Sequence, residues 1–211
     1  MTIPQSVHTP SLAKSTFDVF FQSFKIKPVL AHFFGTIHKS IAYSNGVRQK
    51  LYEMYDIRKI DKNFYFMTYD NSSNQCKLPG IFSFSKFGRT EITLQDSTFC
   101  LCPGGWEPWS ARLYSCIEQG SIPVILADQQ RLPFHEILDW SKFSVRIPIG
   151  DVERIEIILR SFTLKQIVQM RTALMKAAQY LLWNTAPMNV LDLILYEAHM
   201  NSFNMIHKSV Q

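Results

Sequence analysis

The chain has 211 residues, 46% of them hydrophobic and 18% charged, with a formal net charge of +5 and a pI near 9.0. That length and apolar content suit one domain with a real core and argue against disorder, and no run of about 18 apolar residues exists to cross a membrane. The basic residues are scattered rather than massed, so the charge reads as a solvated surface, and no nucleic-acid module signature accompanies it.

In chain order, the opening MTIPQSVHTP lacks the charged-then-apolar layout of a signal peptide, and Pro4 and Pro10 predict an extended, linker-like entry over 1–26. The continuous apolar run PVLAHFF, Pro28 to Phe34, stops at Gly35 and predicts a strand buried on both faces of a parallel sheet. Ser44 to Tyr55 places Val47, Leu51 and Met54 at helical spacing, with Ser44 or Asn45 available as N-cap. Asn63 to Tyr69 is an aromatic strand closed by turn residues at Asp70 to Ser73, and Ile81 to Leu94 reads as a short helix.

Thr98 to Cys102, a helix from about Trp109 to Gln119, and Ile122 to Ala127 make a strand, helix, strand unit of a length suited to a right-handed parallel crossover. Gly120 sits where a helix C-terminal cap belongs. Strand and helix signals follow at Phe143 to Ile147 and Val152 to Leu159, and Thr163 to His199 reads as two helices broken at Pro187, with apolar stripes expected to be core. The alternation predicts an α/β fold with a Rossmann-like parallel sheet and helices on both faces over 27–162, followed by carboxyl-terminal helices over 163–211 that pack on it or on a missing neighbour.

Cys76, Cys100, Cys102 and Cys116 show no CxxC pair and no matching His spacing, which predicts no zinc site. Cys100 and Cys102 point the same way from one strand, a poor disulfide arrangement, so all four cysteines are expected to be reduced or buried.

The stretch FCLCPGGWEPWSARL, Phe99 to Leu113, carries the chemistry. In an open parallel sheet, ligands sit outside the carboxyl ends of the strands, where a helix start offers backbone N–H groups to an anion. Gly104 and Gly105 allow close main-chain approach, Ser110 brings a hydroxyl, and Arg112 brings a fixed guanidinium fork. Trp106 and Trp109 either stack on a planar group or close the pocket over it. The alternative is a glycine turn whose serine merely caps a helix and whose arginine is paired at the surface.

Residues Ser97 to Phe134, STFCLCPGGWEPWSARLYSCIEQGSIPVILADQQRLPF, resemble the signature of the exostosin-like glycosyltransferase family, close to FCLxPxGxxPxSxRLxEAIxxGCIPVIxADxxxLPF. Upstream, LAHFFGTIHKSIAYSNGVRQKLYE resembles the family's strand, glycine and S-x-x-V/I-R-x-x-L segment; the opening TIP resembles its interdomain linker, and Arg171 to Trp183 its closing helices. The resemblance covers nearly the whole chain but only the nucleotide-sugar-binding, carboxyl-terminal half of a GT-B catalytic region. It implies a UDP-sugar donor, a glycan or polysaccharide acceptor, inversion at the anomeric carbon, no obligatory metal or cofactor, and a Golgi-lumen setting. A second domain or chain would supply the acceptor site.

By the same resemblance Gly35 shapes the first loop facing the donor, and Arg48 is a phosphate donor or a paired helix residue. Pro103, Gly104 and Gly105 form the loop around the diphosphate, while Ser110 and the catalytic candidate Arg112 face it. Ser115 replaces the carboxylate that usually accepts from the ribose hydroxyls; Glu118, three residues on, substitutes only if the ribose sits deeper. Asp128 contacts the sugar or caps the following turn. Three readings follow: a donor domain of a glycosyltransferase, a non-catalytic nucleotide-sugar-binding relic or subunit, and a basic module binding anionic polysaccharide.

Overall fold

The computed structural model describes residues 27, 29–36, 40–55, 64–69, 97–106, 110–182 and 190–209. The expected entry segment over 1–26, the turn after Tyr69, the short helix at Ile81 to Leu94, Trp109 and the break at Pro187 lie outside them.

Five strands, β1 (Val29–Thr36), β2 (Phe64–Tyr69), β3 (Ser97–Pro103), β4 (Ile122–Leu126) and β5 (Val145–Arg146), form one sheet in the order β2-β1-β3-β4-β5. Every pairing is parallel. A parallel sheet needs cover on both faces, and β3 and β4 are buried at every position. The expected α/β sheet is therefore present.

The period of two along the strands splits the core. Ala31, Phe33, Phe99, Leu101, Val124 and Leu126 face one side, covered by Val47 and Leu51 of α1 (Val47–Tyr55) and by Ile155 and Leu159 of α3 (Ile155–Arg160). Cys100, Cys102 and Ile125 face the other, covered by Leu113, Cys116 and Ile117 of α2 (Arg112–Glu118) and by Leu174, Ala177, Ala178 and Leu181 of α4 (Leu164–Leu181). Helix α4 thus packs on the sheet. The last helix, α5 (Val190–Ser209), enters this core at Val190 and exposes Leu191, Leu195 and Tyr196.

Local chemistry sets the boundaries. Gly120, at φ +64°, ends α2 with two bonds, Gly120 N–H to the Ile117 carbonyl and Ser121 N–H to the Cys116 carbonyl, the pattern that a left-handed residue after a helix permits. Thr163 opens α4 with a reciprocal capping box to Gln166. Helix α2 begins later than the residues suggested, at Arg112 rather than near Trp109, because the Ser110 carbonyl and hydroxyl already hold the Leu113 and Arg112 N–H groups.

Cys100, Cys102 and Cys116 are buried as expected, but two of them are not reduced. Cys100 of β3 and Cys116 of α2 form a disulfide, with Cα atoms 5.8 Å apart, while Cys102 is free and buried. The spacing of two on one strand did exclude a Cys100–Cys102 bridge. The partner came instead from the helix laid across that strand.

Candidate functional site

A cavity of about 390 Å³ opens at the carboxyl ends of β3 and β4. One wall is Gly104, Gly105 and Trp106, which follow β3; another is Leu126, Ala127, Asp128 and Gln129 at the end of β4; the third is Ala42, Ser44 and Asn45, which precede α1. This is the rim where an open parallel sheet binds ligands.

Ser44, Asn45 and Gly46 all hold positive φ, at 62°, 50° and 75°. Left-handed backbone is costly for the two residues that carry a Cβ, and such strain persists only where surrounding contacts impose it. Here the Ser44 N–H donates to the Gly105 carbonyl at 2.7 Å, and Ser44 Oγ accepts from the Arg48 N–H at 3.2 Å. Ser44 lies three residues before α1 rather than at its N-cap position, but its hydroxyl still holds an N–H of the first helical turn, and its own N–H ties the β1–α1 connection to the glycine loop.

Arg48 is only 4% exposed. Its Nε donates to the Gly104 carbonyl at 2.9 Å, Nη2 to the Pro103 carbonyl at 3.5 Å and Nη1 to the Tyr43 hydroxyl at 2.6 Å, and its guanidinium lies 4.6 Å from the Tyr43 ring centre. Arg48 braces the loop from behind. Burial pulls its pKa down, an effect that the Tyr43 contact opposes.

Arg112, the first residue of α2, turns inward. Its guanidinium stacks 4.6 Å from the centre of the Phe33 ring, and Nη1 donates to Ser110 Oγ at 3.2 Å. Gly35 makes the space: a Cβ there would overlap Arg112 Nη2 and stand 2.9 Å from Phe33 Cζ. Burial, and then the neighbouring Arg48 charge, bring the Arg112 pKa down to about 10, which leaves it cationic at neutral pH. Two guanidiniums therefore sit behind one glycine loop.

Neither Arg112 nor Ser110 lines the cavity. The N–H groups of Arg112, Leu113, Tyr114 and Ser115 are all taken, by the Ser110 hydroxyl and carbonyl and by the Ala111 carbonyl. Those four N–H groups are thus engaged locally, and the side chains of Arg48 and Arg112 bring positive charge to this corner. Ser110 Oγ accepts twice, which leaves its hydroxyl proton to donate.

The remaining expected positions separate. Asp128 lines the cavity, and its Oδ1 accepts from the Ile149 N–H at 3.0 Å, which fixes the carboxylate at the rim. Ser115 is half-buried within α2. Glu118 is the last residue of α2, about 9 Å along the axis from Arg112 and toward the opposite edge of the sheet. It does not line the cavity. Residue reading missed Tyr43, Phe33 and the left-handed turn at Asn45, since none of them carries a signal until the strands bring the two loops together.

Trp106 stands on the lip, 64% exposed, with its ring set edge-on to Tyr43 at 5.3 Å between centres. Behind Asp128, the segment after β4 turns sharply at Phe134, which is buried at φ +51°, and the Trp140 indole N–H donates to the Pro133 carbonyl at 2.8 Å. The Leu-Pro-Phe end of the motif is therefore an anchor for the rim.

The exostosin GT47 domain matches residues 22–162. The chain belongs to the exostosin family. A probable glucuronosyltransferase of Oryza sativa subsp. japonica is 41% identical over 85 residues, which are 40% of this chain and 20% of that protein. A second rice protein of the same description is 43% identical over 74 residues, 35% of this chain and 17% of its own length. A probable beta-1,4-xylosyltransferase of Arabidopsis thaliana is 41% identical over 76 residues, 36% of this chain and 18% of its own. The matches thus span about a fifth or less of each of these curated relatives.

Proposed function

We propose that this chain is the donor-binding half of a glycosyltransferase, which takes a UDP-sugar and transfers the sugar with inversion to a glycan or polysaccharide acceptor held by a second domain or chain. The observation that carries this reading is the cavity at the strand ends, walled by the glycine loop and backed by the Arg48 and Arg112 guanidiniums. The names of the relatives, glucuronosyl- and xylosyltransferases, support a nucleotide-linked pentose or uronic acid as donor.

In this reading the diphosphate lies against the Gly104 and Gly105 backbone, and Arg112, held by Ser110 behind the cavity wall, stabilises through that wall the charge that develops on the departing UDP. A preorganised cation placed where charge develops usually contributes more to the rate of such a transfer than any other single effect. No metal is required for that role, because the guanidinium pair supplies the positive field. Asp128, held by the Ile149 N–H, is placed to accept from sugar hydroxyls. Trp106 offers an aromatic face at the lip, on which a sugar or base ring can stack. A Golgi lumen suits the Cys100–Cys116 bridge, since disulfides persist in oxidising compartments.

Ser115 favours a second reading, a nucleotide-sugar-binding subunit without turnover of its own. The ribose carboxylate of the family pattern is absent there, and Glu118 sits at the far end of α2. Such a loss weakens donor binding by about 1.5–3 kcal/mol, roughly ten- to a hundredfold. Calorimetric titration of the folded chain with UDP tests both readings. Binding in the millimolar range or tighter is expected; no heat at that concentration overturns donor binding altogether. Transfer or hydrolysis of a UDP-sugar, assayed with and without an acceptor-domain partner, then separates enzyme from subunit.

A further inference from the structure

Below the glycine loop, on the sheet face covered by α2 and α4, the metal-binding side chains of His32, Cys100 and Cys116 meet, with Cys102 beside Cys116. His32 of β1 is the register partner of Cys100 of β3, so the two stand side by side on that face. Cys102 points the same way two residues on, and Cys116 reaches them from α2. A ring nitrogen of His32 and the sulfurs of Cys100 and Cys116 all lie within 4.8 Å of one another, and Cys102 Sγ is 3.5 Å from Cys116 Sγ.

All four are buried; His32 is 2% exposed, and its ring sits against the Phe99 backbone with no side-chain partner among the described residues. A buried imidazole with at most one backbone partner leaves a ring nitrogen unsatisfied, which carries a desolvation cost. Apolar packing does not account for this choice of residue, and the donor cavity does not use it.

We propose that His32, Cys100, Cys102 and Cys116 form a closed zinc site in the reduced protein, the alternative occupant of the cluster to the Cys100–Cys116 bridge. Three sulfurs and one imidazole are a set that structural zinc takes up tetrahedrally. With zinc–sulfur bonds of about 2.3 Å, two sulfurs of a tetrahedron stand about 3.8 Å apart, close to the present Cys102–Cys116 separation. Opening the bridge takes two electrons and two protons from a dithiol reductant, which itself becomes a disulfide. Zinc then displaces one proton from each of the three thiols.

The resulting centre carries a net charge of –1. Soft sulfur donors select zinc over magnesium or calcium. Either occupant joins α2 to β3, and α2 begins with Arg112, so the cluster fixes the floor of the corner above it.

The test uses the whole chain, reduced with a phosphine under anaerobic conditions and titrated with Co²⁺. One equivalent should bind with thiolate-to-cobalt charge-transfer absorption and tetrahedral visible bands, and Zn²⁺ should reverse both. Cys116→Ser and His32→Ala should each weaken cobalt binding at least tenfold, and Cys76→Ser should leave it unchanged. Because a core variant can fail to fold, wild-type zinc content is measured as well: reduced protein should retain one zinc through gel filtration, and bridged protein none. Reduced, folded wild type without the absorption or without zinc overturns the proposal, as does equal retention by both forms. UDP titration of the same samples reads the donor site separately, so either conclusion can fail alone.

Discussion

Gly35→Ala is the most informative single change. The backbone of Gly35 does not occupy the left-handed region, so alanine meets no conformational penalty there, and the loss of glycine flexibility even favours the folded state by about 0.4–1 kcal/mol. The new Cβ overlaps Arg112 Nη2 and crowds Phe33 Cζ, which belongs to the core, so the guanidinium is the group that moves. Leaving the Phe33 face forfeits up to about 2 kcal/mol of cation–π attraction, and breaking the Nη1–Ser110 bond about 1 kcal/mol more. The net destabilisation is then about 1–2 kcal/mol, a fall in melting temperature of roughly 2–8 °C at this chain length. Donor binding should suffer more. A cation withdrawn from the diphosphate costs about 1.5–3 kcal/mol, or roughly ten- to a hundredfold in UDP affinity by calorimetry. A Gly35→Ala protein that stays folded and binds UDP within about twofold of the parent would refute the placement of the leaving group above Arg112.

Three further changes probe separate parts of the chain. Cys116→Ser, or reduction of the parent in the presence of a chelator, removes a bridge across a sequence separation of 16 and should cost about 3 kcal/mol, seen as a melting temperature lower by roughly 6–12 °C. Reductant should then leave the variant unmoved. Thr163→Ala removes the capping box of α4 and should lower stability by about 1 kcal/mol in urea denaturation, with UDP affinity unchanged because the cavity is walled by other elements. Trp106→Ala removes an exposed ring, so the melting temperature should hold within about 2 °C, while UDP-sugar affinity falls by up to about tenfold. Unaltered binding would take Trp106 out of the donor site.

Much of this molecule is legible without coordinates, for a local reason. Apolar runs such as PVLAHFF and IPVIL, short and bounded by glycine or proline, suit central parallel strands, Gly120 and Thr163 carry their caps within a few residues, and the glycine loop between a strand and a helix marks the carboxyl end of that strand. Gly104, Gly105 and Asp128 meet at one cavity because parallel strands deliver their carboxyl ends to the same rim.

What required the tertiary structure depends on pairs far apart in the chain. Nothing near Gly35 says that its missing side chain houses the guanidinium of Arg112, and nothing near Arg48 says that three of its hydrogen bonds go to Tyr43 and the Pro103 and Gly104 carbonyls. A metal motif sought by spacing passes over positions 32, 100 and 116, whose side chains meet, with Cys102 beside Cys116, only through strand register and the placing of a helix across the sheet. Residue patterns report one element at a time. Contacts between elements follow from which strands pair and which face each helix covers, and that choice is made only when the whole core closes.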